Sequence, residues 1–569
     1  MKSWFCILFA NLVMVLAVIP GGAWAASGGP ADLTVVKPAT SCTALADVDL
    51  TAIGGKGSRI TGATETTSDG IKVCSVKATL APAINFQVLL PTGTWTQRYM
   101  QLGCGGLCGQ ISLTVGAADG CKVYNNVGFV MAATDMGHGG GMGNDGSWGT
   151  DPQKRIDFAY RAHHLTAEAV KKLIRTFYGQ PQKYAYFNGY SDGGREALME
   201  AMRFPGDFNG VIAGAPAMLF QVQNTLYHGW QAVSNTGDDG KVTLLSNRLA
   251  ILHNAVLAAC DTLDGARDGL IADPAACRFD VASITCPAGV TDTSGCLTSA
   301  EAAVVRKFYD GPIDPKTGAH LTAGQPQYGS ELNWAGVYVA DKADGTLASS
   351  AAALPAIRYL EFEKTHPNAT LASFQFTEST LHALRHLHPF YDATNADLSA
   401  FRRAGGKLIL WHGLADPHIS PANTVSLHKA LVAHMGQKVV DGFERLYLLP
   451  GVAHCGNGQG PSNLDLLTAM MAWVEGGVAP DAIMTRTAKA ASSFGAPNFG
   501  GTDASKQAST QSATSQSTLP DMTRPVYPYP AIARYKGTGD VYDAANWEKG
   551  GPEEMVRLRD WSGSDWFGV

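Results

Sequence analysis

Residues 189–193 read Gly-Tyr-Ser-Asp-Gly, a serine held between two glycines. An apolar, aromatic run (KYAYFNGY) precedes it and an amphipathic helical pattern (REALMEAMRF) follows. At a strand-to-helix turn this spacing has a mechanical use. The glycines let backbone pass close by, and the strained turn pushes the hydroxyl out at the strand's end. A plain turn is the alternative, because the pentapeptide also arises by chance. A hydroxyl becomes a nucleophile only beside a base, and the base needs an acid to orient it. Asp416, in WHGLADPHIS, and His454, in LLPGVAHCGNG, each fall just past an apolar strand pattern. Singly they read as a turn aspartate and a surface histidine; in the order Ser191, Asp416, His454 they read as a triad. Negative charge developing on an acyl oxygen would need N–H donors. One is the backbone N–H of Asp192. The other comes from RYMQLGCGGLCGQ (98–110), where Gly103, Gly105 and Gly106 expose bare amides. Gly106 is favoured, and spacing leaves Gly105 open.

These residues must be carried to one place. From about 30 to 219, strand-like runs (INFQVLLP, GFVMAATD, KYAYFNGY, GVIAGAP) alternate with helical patterns. That alternation predicts a largely parallel α/β sheet. The texture resumes after 400 with GGKLILWHG (405–413) and FERLYLLPG (443–451). Between them, 220–400 is helical, loop-rich and holds four cysteines. An insertion at that point is expected to form a lid over the strand ends, where ligands bind in such sheets. The organisation is therefore core (26–219), lid (220–400), core (401–569). The Ser/Thr/Gly/Ala/Gln-rich stretch 492–520 is expected to be a mobile loop.

The bulk properties exclude some classes. A chain of 569 residues with a formal charge of −6 offers no basic field for nucleic acid or anionic membranes. Residues 1–25 read as a secretory signal: Lys2, an apolar stretch, then small residues at Ala23 and Ala25. No later stretch approaches the roughly 20 apolar residues of a membrane span. The expectation is a secreted or periplasmic protein with no membrane or nucleic-acid partner. Beyond the signal ten cysteines remain, an even number that suits disulfides in an exported chain. Cys104 and Cys108 also have the spacing of a C-x3-C metal half-site, though no second half lies nearby.

With these motifs assembled, the chain resembles the tannase and feruloyl esterase family of exported α/β hydrolases. The resemblance runs through GCGGLCG, TDMGHGG (134–140), RIDFAYRAHHLT (155–166), GYSDGGREALMEAMRFPGDFNGVIAGAPA (189–217), the Asp416 and His454 motifs and RPVYPYPAIARYKGTGD (524–540). It implies an α/β-hydrolase core with an inserted lid, and a serine esterase acting on small esters of aromatic acids (feruloyl, galloyl or terephthaloyl). It also implies structural calcium at CDTLDGARDGLIADPAAC (260–277), held by carboxylates of Asp261, Asp264 and Asp268 and carbonyls of Ala266 and Leu270. Hard oxygen donors suit that ion; a solvated acidic loop is the alternative. In the same frame Cys260 pairs with Cys277, Cys286 with Cys296, and Cys42 with Cys74.

The sequence also departs from the family. A cysteine normally precedes the nucleophile and bonds the one after the catalytic histidine. Here Tyr190 stands in that position, which leaves Cys455 either free or bridged to Cys104 or Cys108, and the elbow held either by packing or by that different bridge. Tyr527 and Lys549 likewise stand where a C-terminal pair would be. His138 is expected to support the active-site loops. His382 and His386, spaced i, i+4, have no third metal ligand and read as packing or surface residues. Trp334, Tyr338, Phe390 and Tyr391 read first as lid core and second as pocket lining. Two rival functions stand beside the aromatic esterase: an esterase for aliphatic acyl groups, and an inactive binder of aromatic ligands.

Overall fold

Strands buried on both faces are apolar at nearly every position rather than at alternate ones. β5 (Phe129–Thr134) and β7 (Gly210–Gly214) follow that rule, and β4 (Arg98–Leu102), which carries Arg98 and Gln101, is likewise buried along its whole length. The structure, a computed structural model, describes residues 29–68, 70–140, 145–488 and 519–569. The secretory signal at 1–25 lies outside the described residues. So does the 492–520 loop, apart from Leu519 and Pro520.

The nine-stranded sheet is completed by β1 (Arg59–Ser68), β2 (Ile71–Leu80), β3 (Ile84–Pro91), β6 (Tyr184–Tyr190), β8 (Lys407–Gly413) and β9 (Glu444–Leu449). Its order is β1-β2-β3-β5-β4-β6-β7-β8-β9. Strands β5-β4-β6-β7-β8-β9 run parallel, and β1-β2-β3 join antiparallel at the β5 edge. The chain passes from β4 outward to β5, then returns across β4 to β6. Such a reversal opens a crevice at the carboxyl ends of the strands.

Helices cover both faces. Ala162–Tyr178 buries Ala162, Thr166, Ala169, Val170, Leu173 and Phe177, a three-to-four spacing that makes one apolar stripe, and ends on left-handed Gly179. Each fully buried Leu, Ile or Phe of this kind contributes about 1.5–3 kcal/mol. Asp192–Arg203 follows β6, and Pro421–Met435 joins β8 to β9.

The chain leaves the sheet after β7 and returns at β8, building the lid in between. The lid has its own core, which includes Leu252, Val256, Phe308, Trp334 and Tyr338. Trp334 and Tyr338 are thus lid core, whereas Tyr391 joins the main core with Phe390 packed against it. Cys260–Cys277 and Cys286–Cys296 are disulfides within the lid, and Cys42–Cys74 ties the N-terminal segment to β2. The chain after 519 does not simply extend the second core part. Arg534 donates to the Leu263 carbonyl and Arg559 to that of Tyr309, so the C-terminal segment also clasps the lid. No helix among the described residues is long and apolar enough to cross a membrane.

Candidate active site

Ser191 occupies the turn between β6 and the helix Asp192–Arg203, with φ 60° and ψ −125°. A non-glycine residue with positive φ stores strain that surrounding structure must hold. Close backbone packing holds it here. A Cβ on Gly189 would come within 2.2 Å of the Gly193 carbonyl, and one on Gly103 within 2.5 Å of Gly193 Cα. The oxyanion-loop candidate and the serine turn therefore fit together only because these positions lack side chains.

His454 Nε2 lies 3.0 Å from Ser191 Oγ, and His454 Nδ1 lies 2.7 Å from Asp416 Oδ2. All three side chains are buried at the carboxyl ends of β6, β8 and β9. Asp416 Oδ1 accepts the backbone N–H groups of His418 (2.7 Å) and Ile419 (3.0 Å). Burial alone would raise the Asp416 carboxyl; His454 and His412 outweigh it and hold it far below the usual carboxylate range. This geometry suits proton transfer from Ser191 to His454, with the resulting imidazolium facing a carboxylate.

His412 was not singled out from sequence. Its Nε2 lies 3.1 Å from both Asp416 Oδ2 and the Ile419 carbonyl, and its Nδ1 lies 2.7 Å from Thr424 Oγ1. A histidine inside the apolar strand LILWHG was the available signal, since a buried polar group needs partners.

Gly106 and Asp192 both line the cleft over Ser191, with Leu107 and Ala217. Asp192 opens a helix, so its N–H has no acceptor within that helix. Gly106 has φ 60°, a conformation glycine adopts without penalty. The Asp192 carboxylate is spent on Arg195, at 2.7 and 3.1 Å. His138 does support the loop: its Nε2 donates to the Leu107 carbonyl (2.6 Å) while its ring stacks on Trp148.

Of the two alternatives for Cys455, the bridge to Cys104 or Cys108 is not formed. Cys104 pairs with Cys108, and Cys455 and Cys121 remain as buried thiols. Cys108 has φ 61°, which turns the short loop back so that the two Cα atoms lie 5.4 Å apart. Tyr190 packs instead against the apolar cluster that contains Cys455 and Trp411. Packing thus replaces the missing bridge. At the C-terminal departure Lys549 Nζ sits over the Tyr527 ring, 5.9 Å from its centre.

The acidic loop is partly neutralised from the C-terminal segment. Buried Arg524 pairs with Asp264 and, at 2.7 Å, with Asp268. The inner oxygens of Asp261, Asp264 and Asp268 accept backbone N–H groups, including those of Ala266 and Leu270. Burial lifts Asp268 to about 6 despite the pull of Arg524. Among the described residues, groups of three or more candidate metal ligands converge elsewhere, at Cys104–Cys108–Asp192–Glu196 and His164–Glu200–Asp207. The first has its sulfurs joined to each other. His382 and His386 are exposed and belong to neither group.

The lid closes the cleft with Phe220, Gln223, Asn224, His228 and Ala352, while His418 and Ile419 enter from the loop after β8. None of these was named from sequence, because nothing local distinguishes a cleft-facing lid residue.

The family model for tannase and feruloyl esterase matches residues 68–549. Mono(2-hydroxyethyl) terephthalate hydrolase of Piscinibacter sakaiensis is 30% identical, with 82% of each chain covered. Probable feruloyl esterase B-1 of Aspergillus oryzae is 32% identical over 70% of this chain and 73% of its own. The crystal structure of feruloyl esterase B from Aspergillus oryzae superimposes with a TM-score of 0.73 at 26% identity, covering 90% of this chain and all of that one.

Proposed function

This chain belongs to the tannase and feruloyl esterase family and is a carboxylic ester hydrolase, and we propose that it cleaves esters of aromatic acids through a Ser191–His454–Asp416 triad. The observation that carries the reading is the continuous set of contacts from Ser191 Oγ through His454 to Asp416. His454 takes the serine proton as Oγ attacks the ester carbonyl, and Asp416 holds the imidazole with its Nδ1–H inward. The backbone N–H groups of Asp192 and Gly106 bind the oxyanion. His454 then protonates the leaving alcohol, and the same nitrogen activates water to release the acid.

The aromatic acyl group is supported by the relatives' activities on terephthaloyl and feruloyl esters and by the Phe220 and imidazole rings lining the cleft. Action outside the cytoplasm is supported by four disulfides among the described residues. The calcium assignment is supported by charge and donor type. Asp264 and Asp268 share one guanidinium while Asp261 has none, and an all-oxygen set of Asp261, Asp264, Asp268 and the Ala266 and Leu270 carbonyls suits a hard divalent cation. Such an ion would brace the lid.

A fluorophosphonate probe tests the triad. Labelling at Ser191 that is lost in His454→Ala is the expected result. A folded protein that does not react would favour the inactive-binder reading. A panel of methyl ferulate, methyl gallate, a terephthalate half-ester and p-nitrophenyl acetate tests the acyl group, and hydrolysis of the last alone would sink the aromatic assignment.

A further inference from the structure

Two hydrogen-bond acceptors of buried residues on the lid wall of the cleft have no donor among the described residues. Gln223 is nearly inaccessible, and its amide nitrogen donates to the His418 carbonyl. A carbonyl can only accept, so that contact fixes which end of the amide is which. The other end, Oε1, has no hydrogen-bond partner among the described residues.

His228 is equally buried, and its Nδ1 lies 2.9 Å from Ser349 Oγ, which in turn lies 3.4 Å from Gln231 Oε1. The amide oxygen must accept, so the serine proton goes to Gln231 and Ser349 Oγ takes the Nδ1–H of His228. The remaining nitrogen, Nε2, is then a bare lone pair. Burial holds the ring neutral, lowering it to about 3, with the His454 charge acting in the same sense.

The backbone brings the two residues together. Gln223–Tyr227 is a π-helical turn in the helix running on to Ser234. A π turn closes its hydrogen bonds at i+5, so residues five apart come onto one face, and such turns are frequent at functional sites. Gln223 and His228 are five apart, and both line the cleft that holds Ser191. No lysine or arginine among the described residues lines it.

We propose that Gln223 Oε1 and His228 Nε2 form an acceptor pair that reads a hydroxyl on the acyl ring, selecting hydroxylated aromatic acids over rings bearing a carboxylate. A ring hydroxyl supplies the donor that a buried acceptor needs. An ionised carboxylate brings only further lone pairs, and this wall holds no cation to receive it. A methoxy group offers no proton.

This inference rests on the ester-hydrolase reading of the same cleft, and the test separates the two. Values of kcat/KM are measured for methyl caffeate, methyl cinnamate, methyl 3,4-dimethoxycinnamate and monomethyl terephthalate. The native enzyme is expected to prefer caffeate by roughly 100-fold, since sites built around a substrate hydroxyl reject analogues lacking it by up to about 10⁵. In Gln223→Met and in His228→Phe the caffeate-to-cinnamate ratio should fall toward one, and His228→Gln, which keeps an acceptor, should retain part of it. A ratio taken within one variant does not depend on how much of it folds. Equal rates on caffeate and cinnamate in the native enzyme, or a ratio unmoved in both variants, overturn the acceptor pair and leave the esterase standing. Hydrolysis of none of the four sinks the aromatic-ester reading itself.

Discussion

Asp416 Oδ2 accepts hydrogen bonds from two histidines, and only His454 reaches the nucleophile. His412 Nε2 faces two acceptors, Asp416 Oδ2 and the Ile419 carbonyl, so it carries the proton, and Nδ1 accepts from the Thr424 hydroxyl. His412 is a positioning residue in this arrangement. Replacing it by Phe is expected to lower kcat by roughly 10–100-fold, about 1.4–2.8 kcal/mol, with KM nearly unchanged. Thr424→Val should show the same pattern more weakly. A change confined to KM would remove His412 from the relay. The proposed triad was legible because each member follows a strand pattern in chain order. Its supports were not. Thr424 lies twelve residues from His412, and no local spacing links them.

At the scale of elements, the helix Pro421–Met435 is tied to β9 by His428 Nδ1 and Glu444 Oε2, 3.1 Å apart and both buried. Burial pushes His428 down, but the Glu444 charge and hydrogen bond outweigh it, so its folded pKa is raised. A raised value means the pair's stabilisation is full below the unfolded pKa, about 6.5, and fades as pH rises through the folded one. Thermal unfolding of the native protein and His428→Gln across pH should therefore differ most below about pH 6.5 and converge at alkaline pH. A constant gap would contradict the charged pair. The parallel strands were readable from their continuous apolar runs. The hairpin β1–β2 was not, because RITGATETTS is largely exposed and rich in Thr, without an apolar face to announce it.

For the molecule as a whole, residues far apart in the chain close the structure. Arg98 at the start of β4 holds Glu475, buried, at 2.6 and 2.7 Å, and Tyr186 donates to the same carboxylate. Arg524, in the C-terminal segment of the second core part, reaches the lid loop at Asp264 and Asp268. If that loop holds calcium, chelation should lower the unfolding temperature by several degrees, calcium should restore it, and Asp268→Asn should abolish the response. A chelator without effect on the native protein would discard the ion. The amino-acid sequence by itself determined the α/β core and pointed to an insertion and to the three residues of the proposed triad, because strand periodicity and strand-end turns are local properties. Only the tertiary structure decided the Cys104–Cys108 pairing, the packing that keeps Tyr190 in place of a bridge, the His412 relay and the acceptors on the lid wall. Those depend on which distant surfaces meet, and a linear pattern carries no record of distance across the fold.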